Sequence, residues 1–151
     1  MTESSPSNSP AGNARATLLI VDDDAQLRGS LVALFRRFGL TVTAAPDGKA
    51  ALDHLSNHAV GIVVTDIFMA ECDGLEFLRM LRQINPRPKV VAMTGAEHAA
   101  MPDLLRIATQ LGADRTIRKP FQPEALLRLV EDLLGVPELI GDRPLAAPMA
   151  S

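Results

Sequence analysis

The chain has 151 residues, 47% of them hydrophobic, with a net charge of −3 and a sequence pI of about 5.6. That is enough apolar material for one packed domain plus tails, and too much for general disorder. An acidic chain without Trp or Tyr lacks the basic face and stacking rings of a nucleic-acid binder. A single cysteine, Cys72, leaves no internal disulfide and no CxxC pair. The start, MTESSPSNSP, has neither the basic nor the apolar region of a secretory signal, and no apolar run approaches the roughly 20 residues of a membrane helix. A soluble cytoplasmic protein is expected, with no membrane and no nucleic acid among its partners.

Residues 1–15 are rich in Ser, Pro, Asn and Gly and read as a disordered tail. TLLIV (17–21) is a short apolar run of strand character. In AQLRGSLVALFRRFG, Leu27, Leu31, Leu34, Phe35 and Phe38 recur at helical spacing, and Gly39 stops the run. LTVTAA is strand-like and DGKAALDHLSNH is a short amphipathic helix. VGIVVT (60–65) is a mostly apolar strand; GLEFLRMLRQI is helical and ends before Pro86. KVVAM (89–93) is a further buried strand. PDLLRIATQLG is a helix with Pro102 at its first position and Gly112 at its close. RTIR is a short strand, and PEALLRLVEDLLG a last helix ended by Gly135. From Val136 to residue 151 the chain mixes Pro, Ala and Gly and reads as a flexible tail. The domain proper is therefore expected over 16–135.

Strand and helix alternate five times, and the strands are continuously apolar, so both sheet faces must be covered. That is the pattern of a parallel sheet. Right-handed crossovers then favour a doubly wound, three-layer α/β sandwich. Ligands of such sheets sit beyond the carboxyl ends of the strands. At those ends stand Asp22, Asp23 and Asp24 after the first strand, Asp66 after the third, Thr94-Gly95 after the fourth and Lys119-Pro120 after the fifth. Each has an ordinary explanation alone: an acid after a strand can cap a helix, as expected of Asp24, and Lys-Pro can be a turn. Together they bring acids, a hydroxyl and an ammonium to one edge.

Their chemistry is coherent. Asp22, Asp23 and Asp66 packed within a few ångströms repel one another unless a cation intervenes. Carboxylates and waters suit Mg²⁺, which also accepts a phosphate oxygen. A carboxylate beside it can attack phosphorus and form an aspartyl phosphate. Phosphoryl transfer asks for positioning and charge neutralisation; Lys119 supplies charge and Thr94 a hydrogen bond. GxGxxG and GxxxxGK[ST] loops are absent, which excludes dinucleotide and P-loop readings.

LLIVDDD, VVTDIFMAECDG, VVAMTG and IRKPF, in this order over residues 17 to 135, resemble the receiver domains of two-component response regulators. The resemblance implies a CheY-like, flavodoxin-like (βα)5 fold with strand order 2-1-3-4-5. It implies that Asp66 is the phosphoacceptor, and that Asp22, Asp23, Asp66 and the backbone carbonyl of Phe68 hold Mg²⁺. Thr94 becomes the switch hydroxyl, Lys119 the phosphate-binding lysine, and the Lys119–Pro120 bond cis.

Three positions depart from the family pattern. Ala70 replaces the usual Pro after Met69. Thr116 stands where relatives carry Tyr or Phe, so the usual signalling face is expected to be read differently. GAEHAAMPDLL lengthens the loop after the fourth strand. Phe68 is either a hydrophobic lid that slows dephosphorylation or only a packing residue. Cys72 reads as an incidental thiol. Met101-Pro102 reads as a helix start, and His54, His58 and His98 show no ligand cluster.

The reading is a single-domain response regulator in a two-component system or phosphorelay. It takes phosphoryl on Asp66 from a histidine kinase or histidine phosphotransfer protein. No output domain is read after Gly135, so output is expected through an effector at the face of the fourth helix, fifth strand and fifth helix. It is not an enzyme, apart from self-catalysed transfer to, and slow loss from, its own aspartate. The alternative is a phosphorylation-independent interaction module, for which Thr116 and Ala70 speak. A phosphohydrolase with an aspartate nucleophile usually carries a second acid two residues on; here that residue is Phe68.

Overall fold

A computed structural model of the chain describes residues 17–69, 74–95 and 103–135. The expectations for both tails, Ala70, Cys72, His98 and Met101-Pro102 fall outside these residues. The elements are β1 (Thr17–Val21), α1 (Ala25–Arg37), β2 (Thr41–Ala45), α2 (Gly48–Asn57), β3 (Ile62–Asp66), α3 (Gly74–Leu81), β4 (Lys89–Thr94), α4 (Asp103–Gln110), β5 (Arg115–Arg118) and α5 (Pro123–Leu134). The strands form one five-stranded sheet in the order β2-β1-β3-β4-β5, and every pairing is parallel. This is the flavodoxin-like doubly wound architecture expected.

Alternation along each strand builds two cores. Leu19, Val21, Val63, Val90 and Ala92 face Ala51 and Leu55 of α2, Phe77, Leu78 and Leu81 of α3, and Leu104 and Ala108 of α4. Leu18, Ile20, Ile62, Val64, Val91 and Met93 face Leu31 and Phe35 of α1 and Leu126, Leu127, Val130 and Leu134 of α5. A strand buried on both faces cannot alternate polar with apolar, hence the unbroken apolar runs. Among the described residues, no helix is long and apolar enough to cross a membrane.

Local chemistry fixes the helix ends. Asp24 caps α1, its carboxylate accepting from the Gln26 and Leu27 N–H groups, and Asp47 caps α2 through Ala50. Gly135 ends α5 in the left-handed conformation (φ 72°), which glycine adopts without strain. Several boundaries differ from the sequence reading by a residue or more, and two of them bear on the site and its flanking helix. The third strand ends one residue later, with Asp66 paired to Met93 in the ladder. The helix expected through Ile84 stops at Leu81, after which Arg82, Gln83 and Ile84 each bond a carbonyl three residues back. That tighter turn fits a chain approaching Pro86, which disfavours helix in the residue before it. Gly74 is obligatory for another reason: a Cβ there would lie 2.0 Å from the Ile67 carbonyl oxygen and 2.5 Å from its Cα. Only glycine lets α3 begin against the backbone that follows Asp66.

Candidate functional site

Parallel strands deliver their last residues to one edge, and the site is assembled from four of them. Asp22 directly follows β1 and is fully buried. Its Oδ1 accepts the Asp24 N–H at 2.9 Å and its Oδ2 accepts Lys119 Nζ at 2.8 Å. Asp23 beside it is exposed. Asp66, the last residue of β3, is buried; its Oδ1 accepts the Phe68 N–H at 3.1 Å and its Oδ2 accepts Lys119 Nζ, also at 3.1 Å. One oxygen from each of Asp22, Asp23 and Asp66 lies within 4.8 Å of the others. Lys119 follows β5, its bond to Pro120 is cis, and its N–H donates to the Thr94 carbonyl at 2.7 Å. Thr94 closes β4 and is buried. All the candidate residues read from the sequence therefore meet at one edge of the sheet.

Arg28 was not among them. It lies on α1 one turn past the cap, and its Nη1 donates to the Asp22 backbone carbonyl at 2.7 Å, pinning the acidic tip from behind. The signal was present in the sequence: a cation four residues after the capping Asp24 points back toward the strand end.

Electrostatics follow from burial. Burial pushes the Asp66 carboxyl above its ordinary value of 3.8; Lys119 opposes the shift and Asp22 adds to it. Burial would lower Lys119, but its hydrogen bond to Asp22 and the charges of Asp66 and Asp22 outweigh that and raise it. The lysine is thus an ammonium shared by two buried carboxylates. Three carboxylates against one ammonium form a set of hard oxygen donors that can hold a metal ion. Two buried donors and the exposed Asp23, their spacing and their excess negative charge fit Mg²⁺.

The raised carboxyl has a consequence for stability. A group whose folded pKa exceeds its unfolded pKa stabilises the fold at low pH and loses that contribution as pH rises through the folded value. Asp66→Asn is therefore expected to melt higher than the native protein at pH 7 in metal-free buffer. The gap should narrow as pH falls toward 3.8, the ordinary carboxyl value. Thermal melts across that range check the sign; a variant less stable at pH 7 would contradict it.

Residues 18–131 match the family described as response regulator receiver domain. Over 118 residues the chain is 38% identical to transcriptional regulatory protein FixJ of Bradyrhizobium diazoefficiens, covering 78% of this chain and 56% of FixJ. Over 119 residues it is 32% identical to transcriptional regulatory protein GlrR of Escherichia coli, covering 79% of this chain and 26% of GlrR. The chain thus spans about half of FixJ and about a quarter of GlrR. Among solved structures, a signal receiver domain from Bermanella marisrubri matches with a TM-score of 0.71 and 32% identity, covering 79% of this chain and 98% of that one. The receiver domain of Francisella response regulator 1452 matches with a TM-score of 0.71 and 26% identity, covering 79% and 96%.

Proposed function

This chain belongs to the response regulator receiver domain family of two-component systems, and on that premise we propose that it is a phosphorylation switch whose phosphoacceptor is Asp66. The observation that carries this is the Asp66 carboxylate at the strand tip, buried, bonded to Lys119 and set against Asp22 and Asp23. A carboxylate oxygen of Asp66 attacks phosphorus. The O–P bond forms as phosphorus parts from its donor, a phosphohistidine nitrogen or the acyl oxygen of acetyl phosphate, and the leaving group keeps the electron pair. Asp22, Asp23, Asp66 and the carbonyl of Phe68 would hold Mg²⁺, which when bound supplies positive charge for the phosphoryl oxygens. Lys119 transfers its hydrogen bond from Asp66 to a phosphoryl oxygen, and the Thr94 hydroxyl donates to another.

Phosphorylation then biases two arrangements of the face formed by α4, β5 and α5. Moving an equilibrium from 1:99 to 99:1 takes about 5.5 kcal/mol of differential interaction, of which the new charge-assisted contacts supply part. In this reading a histidine kinase or histidine phosphotransfer protein is the phosphoryl source, an effector docks on that face, and the setting is cytoplasmic. Thr116, half-buried on β5, is too small to swing inward as an aromatic would. The test is labelling with acetyl phosphate: Mg²⁺-dependent incorporation, abolished by a chelator, is expected. Label that is unaffected by the chelator, or absent with Mg²⁺, would overturn the proposal.

Phe68 is half-buried and packs against the core cluster under α2–α4. As a lid over the acyl phosphate it would slow water attack. Phe68→Asn is expected to shorten the phosphoryl lifetime about tenfold, equivalent to ~1.4 kcal/mol of barrier. The decay of the label measures it, and equal lifetimes would leave Phe68 a packing residue only.

A further inference from the structure

The sequence reading found no ligand cluster among the histidines, but the fold brings two of them together. His54 and His58 stand one turn apart at the carboxyl end of α2, with ring centroids 4.3 Å apart and planes only 9° from parallel. Among the described residues, His58 Nδ1 lies 3.1 Å from the His54 backbone carbonyl. A carbonyl only accepts, so Nδ1 carries the hydrogen and a neutral His58 keeps its lone pair on Nε2. That is the outer-shell arrangement of metal-binding histidines, whose second ring nitrogen donates to a carbonyl or carboxylate and so fixes the tautomer.

We propose that His54 and His58 form a second metal site, distinct from the acidic one, for a divalent ion of the Cu²⁺, Ni²⁺ and Zn²⁺ class. Two histidines four residues apart at a helix are a chelating pair for such ions; here His54 is helical and His58 is the extended residue that caps the helix, held beside His54 by the ring stack. Imidazole prefers such ions to Mg²⁺, with Cu²⁺ the tightest. The rings are parallel, so the His54 ring must pivot for its lone pair to converge with that of His58, whose bond to the His54 carbonyl is kept. The terminal torsion of histidine is broad, so the pivot costs little. Burial, and then His58, push His54 below its ordinary value of 6.5, so at neutral pH protons compete weakly for its nitrogens. His58 is exposed and borders a groove with Asn57 and Asn85, leaving room for water ligands. Bound there, the ion ties the last turn of α2 to the residue that caps it.

The acidic site and the imidazole pair differ in hardness, so saturating Mg²⁺ separates them. Cu²⁺ is titrated into the native protein with Mg²⁺ present, followed by calorimetry and by paramagnetic broadening of amide resonances. A single site is expected, with broadening centred on His54 and His58. His54→Gln and His58→Gln should each weaken binding at least tenfold while His98→Gln leaves it unchanged. Retained Mg²⁺-dependent labelling shows that the variants fold. Native-like Cu²⁺ affinity in both single variants, broadening centred on Asp22–Asp24 and Asp66, or loss of the site in His98→Gln would overturn the proposal.

Discussion

Asp66→Ala is expected to abolish phosphoryl incorporation from acetyl phosphate, with a loss of at least about 1,000-fold, the scale on which enzymes respond to removal of a nucleophile. Two carboxylates remain nearby, and neither can stand in. Asp22 has no exposed surface, and both its oxygens are already engaged, one by the Asp24 amide and one by Lys119. Asp23 is exposed and belongs to the loop after β1, not to a strand tip. Only Asp66 combines burial, a place in the sheet ladder and contact with the lysine. Quantifying label per chain in native and variant protein, with Mg²⁺ saturating, checks this. Label persisting in the variant would move the acceptor elsewhere.

Lys119→Met should produce the second large effect, in two measurements. Without the ammonium, buried Asp22 and Asp66 face each other uncompensated in metal-free buffer. Breaking a buried charge pair by removing one partner costs on the order of 3 kcal/mol, a large share of the 5–15 kcal/mol that holds a typical domain. Denaturant titration should show that loss, and added Mg²⁺ should recover part of it. The double variant Asp66→Asn/Lys119→Met should recover part as well, since it removes one of the two orphaned charges. In the labelling assay, loss of one preorganised charge should slow incorporation about 100-fold. Unchanged stability in metal-free buffer would mean that the ammonium does not hold the acids together.

Much of this was readable from residues alone because burial on both faces leaves a plain signature. Within TLLIV, VGIVVT and KVVAM the runs LLIV, IVV and VVAM carry no polar residue that would permit a solvated face, and the helices between them are marked by caps and glycines. Asp22, Asp23, Asp66, Thr94 and Lys119 were legible because a parallel sheet sends every strand end to one edge. Arg28 left only its spacing from the capping Asp24 as a signal, since its contact is with the main-chain carbonyl of Asp22, an acceptor every residue possesses. The His54–His58 stack escaped for a related reason. Four-residue spacing on a helix is common, and only the observed ring planes and the bond to the His54 carbonyl separate a pair from a coincidence.

The bond from the Lys119 N–H to the Thr94 carbonyl joins the tips of two neighbouring strands. The hydroxyl proposed to detect the phosphoryl group and the ammonium proposed to neutralise it therefore hang from one crossbar. Shifting the end of β4 tugs the end of β5 with it, so detection and neutralisation cannot be adjusted separately by loosening either tip. Diversity in how such a switch is interpreted has to be introduced further along β5, where Thr116 lies opposite Ala92, or on the helices that flank it.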